Sequence, residues 1–163
     1  MNIRKKNLKL LKQNHVYNEN MEHDACGVGL VASTEGKKTR KVVEYGIKAL
    51  KAVWHRGAVD ADGKTGDGAG IHVEIPSDFF IEKIETTGHK HDNDDEVCVG
   101  MIFLPRNDYS AQEKCRTIVE TELTKNNFYI YGWRQVPVNA KVLGEKAELT
   151  RPEITQVLFK TND

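Results

Sequence analysis

Residues 22–30 read EHDACGVGL, which places Cys26 between an acidic, His-containing lead and a run of small and apolar residues. Cleavage between Ala25 and Cys26 would leave Cys26 as an N-terminal residue with a thiol and a free α-amine. Because the unperturbed pKa of an α-amine is about 8, a usable fraction is unprotonated near neutral pH and can act as base for the thiol. The stretch predicts a nucleophile exposed by processing. The alternative is a small, buried apolar residue at the start of a strand.

Residues 54–70 read WHRGAVDADGKTGDGAG and form a second unusual segment. From Gly57 to Gly70, five of fourteen residues are glycine, which permits positive φ angles and close backbone approach. The segment is not a phosphate-binding loop, because five residues rather than four separate the first two glycines and a helical pattern precedes them. It also lacks the third acidic ligand and the closing Glu of a calcium loop. We interpret it as a glycine-rich turn.

The chain resembles the N-terminal part of the glutamate synthase large subunit, a type-2 glutamine amidotransferase domain. Four segments carry the resemblance and occur in this order: CGVGLVAS, ALKAVWHRGAVDADGKTGDGAGI, GWRQVPVN and TRPEITQVLF. The resemblance begins near Asp24 and implies an α+β N-terminal-nucleophile hydrolase, with two stacked antiparallel sheets between helical layers (αββα). The family's domain is much longer, so residues 26–163 are expected to be a truncated, N-terminal portion of it.

The resemblance also implies the site residues. Cys26 is the expected catalytic nucleophile, and Arg56 of the His-Arg-Gly motif is the expected substrate-binding residue. The alternative for Arg56 is a cation at a helix C-terminus that interacts favourably with the helix dipole. His55 is expected to be structural, because the family uses the terminal amine as base. The family's oxyanion hole comes from an Asn-Gly pair, and this pair does not occur in the chain, which predicts no activity for the isolated chain.

The implied reaction is hydrolysis of glutamine to glutamate, with the ammonia passed on to 2-oxoglutarate. No cofactor is expected in this segment; FMN and an iron–sulfur cluster are expected in a downstream part of the enzyme. The expected partners are glutamine, the remainder of the synthase polypeptide and a small reductase subunit. Two alternatives stay open, namely a truncated product with no activity and another type-2 amidotransferase.

The remaining cysteines and histidines do not form a second site. Cys98 and Cys115 fall on apolar faces of a predicted strand and helix, where they are expected to be core thiols. The histidines, at positions 15, 23, 55, 72, 89 and 91, do not have the spacing of metal ligands. His89 and His91 are expected to be solvated in a surface loop. We therefore predict no metal site.

Residues 1–25 differ from the rest of the chain. The first thirteen residues, MNIRKKNLKLLKQ, carry five basic residues and no acid, and they lack the apolar core of a secretory signal. The composition fits a disordered basic tail or, less well, a transit peptide. The resemblance favours a short propeptide that ends at Ala25.

Composition narrows the class of protein. The 163 residues include 24 basic and 24 acidic side chains, so no net charge attracts nucleic acid or an anionic membrane. Three cysteines, an odd number, argue against a disulfide framework and favour a reducing compartment. No apolar run approaches the length of a membrane span. These features predict a cytoplasmic protein that contacts neither nucleic acid nor membrane.

Periodicity predicts helices and strands in alternation. Helices are expected at residues 39–54, 77–85 and 110–126, the last with Ser110 as N-cap and Glu113 completing a capping box. Strands are expected at residues 27–33, 71–75, 97–104, 128–136 and 154–159. Alternation by itself favours a parallel sheet, whereas the resemblance implies antiparallel sheets.

Overall fold

A three-stranded antiparallel sheet organises the part of the chain that the computed structural model describes. That part comprises residues 27–53, 59–66, 68–92 and 96–162, with Lys6, Lys9, Leu10, Lys12 and Gln13. In chain order the elements are α1 (Arg40–Ala52), α2 (Ser77–Glu85), β1 (Cys98–Leu104), α3 (Tyr109–Lys125), β2 (Phe128–Gln135), a 3-10 turn (Ala140–Val142), α4 (Glu145–Thr150) and β3 (Glu153–Thr161). Strand β3 lies in the middle, in the order β1-β3-β2.

Strand β3 is the central strand of the sheet because it is hydrogen-bonded to a neighbouring strand along each of its two edges. Both neighbours run antiparallel to it, and Val157 faces Gly100 of β1 and Trp133 of β2. Residues 155–158 are buried. A bulge between Ile130 and Gly132 shifts the register of β2, and Gly132 has a φ of 147° that favours glycine. The antiparallel arrangement agrees with the resemblance and differs from what alternation of elements alone suggests.

The hydrophobic core lies where α2 covers one end of the sheet. Phe80 and Ile84 of α2 pack with Tyr131 of β2, Leu158 of β3 and Val97, just before β1. Helix α2 has the bounds predicted from the sequence, and its spacing of apolar residues puts Phe80 and Ile84 on one face. Helix α3 packs against β2 and β1, and Glu120 accepts a hydrogen bond from the Trp133 indole at 2.7 Å.

The cap of helix α3 differs from the prediction. Asp108, not Ser110, is the N-cap, and its carboxylate accepts a hydrogen bond from the Ala111 amide at 2.9 Å. Asp108 has extended backbone angles, whereas Ser110 lies inside the helix. An N-cap side chain can reach the amides of the first turn only from that extended geometry, so the predicted N-cap was two residues too late and Glu113 does not complete a capping box. Ile118, an apolar residue of this helix, is 63 % exposed.

Two predicted strands are absent from the described residues. Residues 27–33 and 71–75 have no strand pairing, and Val28 and Leu30 are 92 % and 91 % exposed. The prediction of strands was wrong for both segments, because an apolar pattern forms a strand only where a neighbouring strand supplies hydrogen bonds. Helix α1 is confirmed over the described residues, although its apolar stripe is only half-buried.

Two general features apply to the residues that the structure describes. The described residues form an α+β arrangement with one small antiparallel sheet. Within these ranges, no helix combines the length and apolar character needed to cross a bilayer.

His91 Nδ1 lies 3.0 Å from the hydroxyl of buried Tyr131, and the ring of His89 packs edge-on against the same tyrosine. The expectation of two solvated histidines was therefore wrong, because the aromatic side chains of β2 partly cover them.

Candidate functional site

Cys26, Arg56 and His55, the residues singled out from the sequence, lie outside the described residues. Their predicted roles therefore stay predictions. The structure does describe the residues that follow Cys26 and those that follow Arg56. The first are residues 27–33, which form neither a helix nor a strand. The second are residues 59–66, named here the 59–66 loop, which contain the whole DADGKTG sequence of residues 60–66.

The 59–66 loop is a closed turn. Val59 and Gly66 form an isolated antiparallel bridge, and the Asp60 amide donates to the Thr65 carbonyl at 2.7 Å. The Gly63 amide donates to the Asp60 carbonyl at 2.9 Å, and Gly63 has a φ of 69°. Only glycine adopts this angle at little cost, which explains its place at the tip of the turn. The sequence-based interpretation as a glycine-rich turn is confirmed for residues 59–66.

The Asp62 carboxylate is the centre of this turn. It accepts hydrogen bonds from the amides of Lys64 at 2.9 Å and Thr65 at 2.7 Å, and from the Thr65 hydroxyl. The backbone amide of Glu145 also favours the ionised form, to a smaller degree. These donors stabilise the ionised form, with the Thr65 hydroxyl contributing most, and hold the pKa of Asp62 well below its usual range. The carboxylate is committed to N–H and O–H donors, which agrees with the rejection of a calcium loop.

The 59–66 loop rests on the start of helix α4, at Gly144, Glu145 and Lys146, named here the anchor. The Lys146 ammonium donates to both oxygens of Asp60, at 2.9 and 2.7 Å. Gly144 is buried, and a Cβ there would overlap Thr65 Oγ1 and Asp62 Oδ2 and would lie 2.5 Å from the Thr65 nitrogen. A residue with any side chain therefore cannot occupy position 144 without moving the 59–66 loop.

Sequence reasoning missed the anchor. No helix is predicted between the strands at residues 128–136 and 154–159, although this segment contains the 3-10 turn and helix α4. Gly144 followed by Glu145 and Glu148 is a helix-start signal, with acidic side chains in the first turn. The sequence cannot show that this start contacts a loop 86 residues earlier, because the contact depends on the tertiary fold.

The described cysteines differ from the predicted nucleophile. Cys98 and Cys115 are both free thiols, each partly buried. Burial, with a smaller contribution from Glu96, raises the pKa of the Cys98 thiol, which makes the reactive thiolate scarcer at neutral pH. This supports a packing role for Cys98. Among the described residues, no three His, Cys, Asp or Glu side chains are grouped so that they can hold a metal ion.

Comparison with known proteins assigns the family. The family profile described as glutamine amidotransferases class-II matches residues 26–163. The chain belongs to this family. It is 59 % identical over 148 residues to the glutamate synthase [NADPH] large chain of Azospirillum brasilense, a match that covers 91 % of this chain and 10 % of that protein.

Two further relatives carry related names. The ferredoxin-dependent glutamate synthase of Pyropia yezoensis is 39 % identical over 142 residues, or 87 % of this chain and 9 % of the relative. The glutamate synthase [NADPH] large chain of Bacillus subtilis (strain 168) is 35 % identical over 148 residues, or 91 % of this chain and 10 % of the relative. The chain thus spans about a tenth of the length of the curated relatives it matches.

Proposed function

We propose that residues 26–163 belong to the glutaminase part of a glutamate synthase, with Cys26 as nucleophile and Arg56 as substrate-binding residue. The observation that carries this proposal is the 59 % identity to a glutamate synthase large chain, together with a family match that starts at Cys26. The finer fold we propose is the αββα arrangement, of which the described antiparallel sheet would be one part. The expected location is the cytoplasm, and a small reductase subunit is an expected partner.

The proposed chemistry follows from an N-terminal cysteine. The free α-amine of Cys26 accepts the thiol proton, and the thiolate sulfur attacks the carbon of the glutamine side-chain amide. The tetrahedral intermediate collapses, the C–N bond breaks, and the proton is delivered to the departing ammonia. Water then attacks the γ-glutamyl thioester, releases glutamate and returns the proton to the thiolate. Ammonia would be consumed elsewhere in the full polypeptide, in glutamate formation from 2-oxoglutarate.

The role proposed for Arg56 is electrostatic. A guanidinium is always charged near neutral pH and presents a planar set of N–H donors that matches a carboxylate. An arginine in the pocket near Cys26 would bind the substrate through these donors without taking part in bond cleavage. Residues 1–25 would be a propeptide, because the mechanism requires the amine of Cys26 to be free.

Replacement of the nucleophile tests the proposal. In the full-length enzyme, we expect Cys26→Ser to abolish glutamine-dependent glutamate formation and to leave ammonia-dependent formation unchanged, because the latter does not need the glutaminase site. Steady-state rates with glutamine and with ammonium as nitrogen source measure the two activities. Cys115→Ser, which removes a thiol from helix α3, is the matched control and should retain both. A Cys26→Ser enzyme that keeps its glutamine-dependent rate would show the assignment to be wrong.

A further inference from the structure

Helix α1 has two sides of different character. Its half-buried residues lie together on one side, as the helical period requires, and are Val42, Val43, Gly46, Ile47 and Leu50. Ile71 packs against this side, where a Cβ built on Gly46 would lie 3.1 Å from Ile71 Cδ1. The residues of the opposite side are exposed to solvent. The helix therefore directs its apolar side toward residue 71 and its polar side away from it.

The exposed side of α1 is strongly basic. Its charged residues are Arg40, Lys41, Glu44, Lys48 and Lys51, and these four cations and one anion give a formal charge of +3. The whole chain has a formal charge of zero. The positive charge on α1 is therefore a local concentration and not a consequence of a basic composition. A surface of one sign attracts partners of the opposite sign and raises their rate of association.

The lysines of this side are arranged around an aromatic ring. Lys41 Nζ lies 5.7 Å and Lys48 Nζ 5.6 Å from the centre of the Tyr45 ring, and this ring belongs to a side chain that is 46 % exposed. Helical spacing of four and three residues brings both lysines to the tyrosine. Contact with the ring restricts the two lysine side chains, so they lose less conformational freedom when they bind a partner.

The carboxylate on this side is already engaged. Glu44 pairs with Arg40, whose Nε lies 3.5 Å from Glu44 Oε1. Among the described side chains, no carboxylate forms an ion pair with Lys41, Lys48 or Lys51. Three ammonium groups on this side are therefore available to carboxylates from outside the described part of the chain.

We propose that this side of α1, named here the basic face, binds an acidic protein. The basic face consists of Arg40, Lys41, Glu44, Tyr45, Lys48 and Lys51. Complementary charge speeds the encounter with such a partner and disfavours basic ones. Tyr45 supplies a contact of the kind that is enriched among the residues that dominate binding energy in protein interfaces. This role goes beyond the proposed glutaminase function and does not depend on Cys26.

Two other anionic partners fit the basic face less well. A helix that binds a membrane surface inserts its apolar side, whereas the apolar side of α1 packs against Ile71. Nucleic acid presents only anionic phosphates along its backbone, and Glu44 would repel them. A protein can offer carboxylates to the lysines and a cation to Glu44 at the same time.

The first test measures the association of the full-length enzyme with immobilised poly-L-glutamate by surface plasmon resonance. The test variant carries three substitutions, Lys41→Gln, Lys48→Gln and Lys51→Gln. At low ionic strength it should associate about tenfold or more slowly than wild type, because electrostatic steering raises association rates by at least about that factor. At high salt the two rates should converge, since the charges are then screened.

The matched control makes the same change in net charge on other elements. It carries Lys90→Gln, Lys114→Gln and Lys141→Gln, at three exposed lysines outside α1. The control should associate at nearly the rate of wild type. Glutamine has nearly the helix propensity of lysine, so the substitutions in α1 do not endanger the helix. Equal slowing in the two variants, or no slowing in the test variant, would overturn the proposal.

The second test concerns the ring of Tyr45. Tyr45→Leu removes the ring and should speed dissociation from poly-L-glutamate about twofold to fivefold, the effect of losing an exposed cation–π contact. Tyr45→Phe keeps the ring and should dissociate like wild type. Tyr109→Leu, at a tyrosine that is 78 % exposed at the start of α3, is the control and should change nothing. Wild-type dissociation of Tyr45→Leu would contradict the proposed face.

The class of partner is tested with two further probes under the same conditions. These are vesicles of phosphatidylglycerol and single-stranded oligothymidylate. Tighter binding of either probe than of poly-L-glutamate, lost in the variant with three substitutions in α1, would assign the basic face to a membrane or to nucleic acid and overturn the proposal. Cys26→Ser should bind poly-L-glutamate like wild type, so failure of the glutaminase assignment and failure of this inference are distinguishable.

Discussion

Gly100 shows how one side chain can decide whether two strands fit. In β1 it lies opposite Val157, and a Cβ built on it would lie 2.7 Å from Val157 Cγ1. Val157 is fully buried and β-branched, so it cannot turn away at low cost. The glycine is therefore a packing requirement of the sheet.

We predict that Gly100→Ala destabilises the sheet by about 1–3 kcal/mol, the usual cost of overpacking a core. Native-state hydrogen exchange of the β3 amides in the full-length enzyme measures the free energy of local opening. Val157→Ala in the same background should relieve part of the effect, so the double variant should be less destabilised than the sum of the single variants. Gly70→Ala, where a Cβ meets nothing within 4 Å, is the control. Strictly additive effects would contradict direct contact.

The sequence indicated some of the important residues and gave no sign of others. Cys26 and Arg56 were singled out by local motifs, but they lie outside the described residues and stay predictions. Gly144 was not singled out, although an added Cβ at this position would overlap atoms of Asp62 and Thr65. Residues required for a reaction can form a recognisable sequence motif. A close contact between segments that are distant in the chain produces no local sequence pattern.

Helices and strands were predicted well where local pattern and tertiary contact agree. Helix α2 and strand β1 match their predicted bounds to within a residue. Helix α2 buries the face that its periodicity marks, and strand β1 pairs with β3 along its whole length. Residues 27–33 and 71–75 carry the same kind of apolar pattern without a paired neighbour among the described residues. Sequence periodicity indicates which face of a segment is suited to burial, but it does not indicate whether a partner strand is present.

Helix α4 is stabilised by contacts at both of its ends. At its start lies the anchor for the 59–66 loop, and near its end Glu148 pairs with Arg151, at 2.8 Å to Nε, and with Arg106. These hydrogen bonds, that from Arg151 first, lower the pKa of Glu148. A six-residue helix has little stability of its own, so these contacts explain why it forms. Because the helix depends on these tertiary contacts, the periodicity of the sequence did not predict it.

The described part of the chain leaves many large apolar side chains exposed. Val28, Leu30, Phe103, Leu149 and Ile118 are each more than 60 % exposed, and helix α1 has no buried residue. A monomer of this size rarely leaves so many apolar side chains in water. This exposure supports the expectation that further sequence completes the domain.

We therefore predict that the isolated chain of residues 1–163 is poorly ordered and inactive. Its exposed apolar surface should bind a hydrophobic dye, whereas the full-length enzyme should bind much less per amidotransferase domain. Ammonia release from glutamine should not exceed that of a Cys26→Ala chain, because loss of one oxyanion-hole donor alone typically costs about 100- to 1000-fold in turnover. Ammonia release clearly above that control would show that this chain supplies its own oxyanion hole.

The most direct measurement of the whole account is covalent labelling of the full-length enzyme with a diazoketone analogue of glutamine, followed by peptide mass mapping. The thiolate that attacks glutamine should displace dinitrogen from the analogue and form a thioether. We predict a single adduct, on Cys26, in a peptide whose first residue is Cys26 and whose α-amine is free. An adduct on Cys98 or Cys115, or an adduct on Cys26 in an active enzyme that still carries residues 1–25, would contradict the account.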